Sequence, residues 1–83
     1  MSRAWVVIAT PYHVPYQIPF FFEHREHALE MITHRINDHI ITNLFLKQKD
    51  IDFLKETLYS IRYGFFQPLV IDYVKWDLRE INQ

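Results

Sequence analysis

Glu23, His27, Glu30, His34 and Asp38 are the residues of this chain whose types and spacing come nearest to a chemical site. They follow one another at intervals of four, three, four and four. On a helix, at about 100° per residue, they line one narrow face and meet as i,i+3 or i,i+4 pairs. Imidazole and carboxylate at that spacing can chelate a divalent metal, and the chain has no cysteine to compete for it. His27, Glu30 and His34 are the candidate ligands. The same stripe lies opposite Leu29, Ile32 and Ile36, where an amphipathic helix carries its solvated charges. Surface pairs of that kind contribute roughly 0.5 kcal/mol or less. No further ligand is evident elsewhere, so the expectation is no metal and no cofactor.

Other catalytic patterns are weaker still. The string His24-Arg25-Glu26-His27 is neither the His-Glu-x-x-His of zinc proteases nor its inverted form. Four of the five histidines fall between positions 24 and 39. That segment gains positive charge between about pH 7 and 5.5, which could tune a partner interface. Asp72 and Lys75 suggest a carboxylate–lysine pair, but three positions apart on one strand they point to opposite faces. A single glycine leaves no material for a phosphate-cradling loop, and no serine-centred nucleophile motif occurs. The chain is expected not to be an enzyme.

Aromatic residues make up 17% of the chain and hydrophobic residues 49%. Most must serve packing. Tyrosine and tryptophan also anchor protein interfaces, and Trp5, Tyr12, Tyr16, Phe21, Tyr73 and Trp76 are the candidate partner-binding residues. Lysines and arginines are scattered rather than grouped, and the formal net charge is -1. Both facts favour contact with protein over nucleic acid.

The elements that must position these residues follow from periodicity. Residues 4–10 read as a central strand, with Trp5, Val7 and Ala9 on one face and Val6 and Ile8 on the other. Pro11 and Pro15 bound a loop, and residues 16–23 read as a second strand held to an edge or bulge by Pro19. Leu29, Ile32, Ile36 and Ile40 repeat at helical spacing, so a helix should start near Glu23 or His24 and end between His39 and Leu46. Asp50 is the expected N-cap of a second helix whose buried face is Ile51, Leu54, Leu58 and Ile61, and Gly64 its stop. Residues 69–78 read as one closing strand, with Leu69, Ile71 and Tyr73 on one face and Val70, Val74, Trp76 and Leu78 on the other. Residues 79–83 are expected to fray.

These elements imply one α+β domain over residues 1–83, in the order β-β-α-α-β. Its sheet has three antiparallel strands, with both helices on one face. At 83 residues the chain buries only about 60–65% of its unfolded surface. Two helices leave the second sheet face uncovered, which a homodimer or another protein would hide. No apolar run approaches the ~20 residues of a membrane span, and none resembles a signal peptide, so a cytoplasmic location without membrane contact is expected.

The stretch from Trp5 to Ala9, followed by Phe20-Phe21-Phe22-Glu23-His24-Arg25-Glu26-His27-Ala28-Leu29-Glu30-Met31-Ile32, resembles small accessory proteins of bacteriophages and other mobile elements. About half the chain takes part. The resemblance transfers no catalytic residue; it implies a viral or mobile-element accessory protein of a kind mostly of unknown function, some of which inhibit or redirect a host protein. The leading expectation is therefore a small non-enzymatic protein-binding module. A nucleic-acid-binding regulator and a metal-binding protein using His27, Glu30 and His34 are the alternatives.

Overall fold

The spine of the sheet is β1 (Arg3–Pro11), apolar on both faces as the sequence predicts. The computed structural model describes residues 3–82. β2 (Ile18–Phe22) returns antiparallel to β1, pairing Trp5 with Phe22 and Ala9 with Ile18. α1 (Arg25–Thr42) and α2 (Gln48–Arg62) follow, then β3 (Leu69–Ile71) and β4 (Val74–Asn82). The sheet is fully antiparallel, in the order β2-β1-β4-β3.

The α+β class, the two helices and the antiparallel sheet agree with expectation; the strand count does not. Four strands form, not three, because the expected closing strand over 69–78 breaks at Asp72 and Tyr73. Both have positive φ, 51° and 63°, and together they make the two-residue turn of a tight hairpin. The turn also corrects the expected faces. It joins Ile71 to Val74 in register, so Leu69, Ile71, Val74, Trp76 and Leu78 all contribute to one core. A straight strand would have split them between two faces. Residues 79–82, expected to fray, instead complete a nine-residue ladder from Pro11↔Val74 to Arg3↔Asn82; Gln83 lies outside the described residues.

The core forms where the helices meet the face of the sheet bearing Val7 and Ala9. Ala28, Leu29, Ile32 and Ile36 of α1 pack there with Leu54 and Ile61 of α2 and with Leu69, Ile71 and Trp76. Val7, Ile32 and Ile36 are completely enclosed. The molecule measures 45 × 33 × 17 Å, the thickness of one helix layer on one sheet. Ala9 and Val7 are small enough for Phe20 and Trp76 to meet across β1, with ring centroids 6.4 Å apart and nearly parallel.

α2 starts at Gln48, two residues before the expected cap. The Lys47 carbonyl accepts the N–H groups of Asp50 and Ile51, so Asp50 occupies the first turn, where the helix dipole favours a carboxylate. Its end agrees with expectation. Gly64 has φ +85° and donates to the Ile61 carbonyl, while Phe65 donates to that of Ser60. This paired closure needs a left-handed residue at position 64. Among the described residues, no helix is long and apolar enough to cross a membrane.

Candidate protein-docking surface

Three connections gather at one end of the slab: the loop between β1 and β2, the β3–β4 turn, and the α1–α2 connection. The first two are joined directly. Tyr12 donates its backbone N–H to the Tyr73 carbonyl at 2.9 Å, and the rings of His13 and Tyr73 lie 5.7 Å apart. Tyr12, Tyr16 and Tyr73 all present exposed rings here. Tyr73 does so from a left-handed backbone, a conformation costing an L-residue about 1–2 kcal/mol. Asn-Gly or Asp-Gly is the usual choice for such a turn. A bulky aromatic there is held against backbone preference, and such positions concentrate at functional surfaces.

The other candidate residues do not join this cluster. Phe21 lies on the opposite sheet face and is exposed. Trp5 is half-buried at the far end of β1, with the Arg25 guanidinium 5.5 Å from its ring centre. Trp76 is only 7% exposed and carries Arg35 over its ring at 5.5 Å. It packs in the core and does not join the exposed tyrosines.

The uncovered sheet face is less open than two-sided strand patterns imply. Val6 is only 5% exposed although it lies on that face. Its neighbours across the sheet are Phe21 and Arg79, and Ile8 stands between Pro19 and Asp77. Arg79 is tied to Asp77 by an ion pair at 3.3 Å, while Asp77 also accepts the Leu78 N–H at 2.8 Å. Flanking side chains thus seal much of the strip, leaving Phe21 and Val70 as its large exposed apolar groups.

The apolar surface that periodicity missed lies along the helices. Ile41 projects from the last turn of α1, and Leu44 and Phe45 from the α1–α2 connection, Leu44 89% and Phe45 93% exposed. Phe53 and Phe65 are exposed along α2 and just beyond it. One signal was available: Phe53 falls outside the Ile51, Leu54, Leu58, Ile61 stripe and therefore had to face away from the core.

His27, Glu30 and His34 stand exposed on α1, and among the described residues no group of three or more His, Asp or Glu side chains comes together to hold a metal ion. The His27 ring instead meets that of His24 edge-on, with centroids 5.3 Å apart. On α2 the Tyr59 hydroxyl donates to that of Tyr63 at 3.4 Å. This bond holds the Tyr59 phenol above the ordinary tyrosine pKa, with a smaller contribution from desolvation and an opposing one from Arg62.

Comparison of the chain with protein-family models, with curated proteins and with solved structures gave no match.

Proposed function

We propose that this chain is a non-enzymatic protein-binding module whose docking surface is the tyrosine-bearing end of the sheet. The observation that carries the proposal is Tyr73. Its backbone is held in the left-handed region, its carbonyl is fixed by Tyr12, and its ring is presented to solvent. Tyrosine offers a large, stiff, amphipathic contact at low entropic cost, which suits it to anchoring an interface. In keeping with the resemblance to small phage proteins, the proposed partner is a host protein that the module inhibits or redirects.

The test compares affinity capture from extract of the cell that harbours the gene, using wild type, a Tyr12→Ser/Tyr16→Ser variant and a Lys49→Ala/Lys55→Ala control. Titration with the purified partner then measures each affinity. The tyrosine variant should bind at least about tenfold more weakly, the loss of roughly one anchor contact. The lysine control should stay within about twofold of wild type. A partner that binds all three alike, or the absence of any partner, defeats the proposal.

A further inference from the structure

A second surface, built from other residues than the tyrosine cluster although its knob lies at the same end of the slab, consists of a knob and a socket on the same chain. The knob is Leu44–Phe45. Its backbone is fixed by the Phe45 N–H donating to Asn43 Oδ1 at 3.0 Å, so the two side chains are presented on a defined turn. The socket is a groove of about 240 Å³ beside α2, lined by Phe53, Thr57, Ser60, Phe65, Pro68 and Leu69 with polar groups at its rim. The hollow exists because Thr57 and Ser60 are small. They follow Phe53 on one helical face, between its ring and that of Phe65.

We infer that the chain forms a two-fold symmetric dimer in which Phe45 of each copy enters the Phe53–Phe65 groove of the other. Three observations select a second copy as the occupant. The groove is smaller than the ~300–1,000 Å³ usual for small-molecule sites, which suits a single side chain. The knob precedes α2's N-terminus and the groove runs along its later turns to the loop beyond, so in the inferred dimer an antiparallel pair of α2 helices would set each knob toward the other copy's groove, the self-complementary pattern of a two-fold interface. Area is the third. At ~150–250 Å² per large apolar side chain, the exposed parts of Ile41, Leu44, Phe45, Phe53 and Phe65 would bury roughly 600–950 Å² per copy if all were covered. Standard interfaces bury ~800 Å² per partner, a value reached once a polar rim is included.

Sedimentation velocity of the full chain over a concentration series tests the pairing with two variants. Phe45→Ser removes the knob, and Ser60→Arg fills the socket. Both positions are exposed, so circular dichroism should show wild-type folding. Wild type should dimerise, and each variant alone should weaken dimerisation by about 30-fold or more. An equimolar mixture of the two variants keeps one intact knob–socket pair, so it should form more dimer than either variant alone. A wild type that stays monomeric at its solubility limit overturns the inference. So does a dimer that survives in both variants, or a mixture no more dimeric than its components. None of these residues belongs to the tyrosine cluster, so loss of self-association and loss of partner capture are separable results.

Discussion

Replacing Tyr73 by alanine and, separately, by glycine should reverse the usual order of those two residues. Both variants lose the tyrosine ring and its contact with His13, so their difference isolates the backbone. At an ordinary strand position glycine is less stable than alanine by roughly 0.5–1 kcal/mol, because its unfolded chain has more freedom to lose. At φ 63° alanine carries the left-handed penalty of about 1–2 kcal/mol, which glycine escapes. The net expectation is that Tyr73→Gly exceeds Tyr73→Ala by about 0.5–1 kcal/mol. For a domain of this size that corresponds to a Tm higher by roughly 2–8 °C. Thermal and urea denaturation followed by circular dichroism would measure it. Lys75, exposed in the regular part of β4, is the control, where alanine should exceed glycine. If alanine is the more stable at both positions, Tyr73 carries no backbone strain, and the case for its selection as a surface anchor loses its premise.

Ile32 is completely enclosed, so Ile32→Ala should destabilise by about 2–5 kcal/mol, read from the denaturation midpoint; a cost below that of an exposed site would mean the core is drawn wrongly. Gly64→Ala should cost about 1–2 kcal/mol through φ +85° alone, since the added methyl meets only Arg25 Nη1 at 3.7 Å, an ordinary contact. Tyr59, its pKa raised by the bond to Tyr63, contributes stability that is fully present below the unfolded value of about 10 and is lost as pH rises through the higher folded value. Ultraviolet titration normalised per tyrosine should therefore show an earlier tyrosinate rise in Tyr63→Phe, and normalised curves that superimpose would refute the bond. Zinc should leave the Tm unchanged, since His27, Glu30 and His34 belong to no metal-holding group; a saturable rise would reinstate the site.

Much of the fold is legible in the sequence, because burial imposes a period wherever one element packs by itself. The alternation around Val7, the stripe Leu29, Ile32, Ile36 and the stop at Gly64 each reflect local geometry, and each agrees with the structure. The hairpin at Asp72–Tyr73 left a fainter mark. The apolar positions change parity there, from odd at Leu69 and Ile71 to even at Val74, Trp76 and Leu78. A two-residue turn brings both sets to one face, but the residues at the turn are not the usual Asn-Gly or Asp-Gly, so the signal passes for a continuous strand. Tyr12, Tyr16 and Tyr73 were legible as candidates by residue type, while their convergence required two loops distant in sequence to meet.

The sequence by itself determined that two helices and an antiparallel sheet would form and which helix stripes would be buried, because those follow from period and local backbone preference. Only the tertiary structure decided which aromatics are spent inside and which remain outside. Trp76 went to the core because the hairpin turned it toward Phe20 and the small Ala9 and Val7 left room. Phe45 remained outside, 93% exposed on a connection whose turn is held by its own N–H bond to Asn43 Oδ1. Val6 was sealed by Phe21 and Arg79, residues distant in sequence that only strand pairing sets beside it. Residue type sets how much apolar surface a chain has; the register between strands and the crossing of helices over them settle where that surface is left exposed.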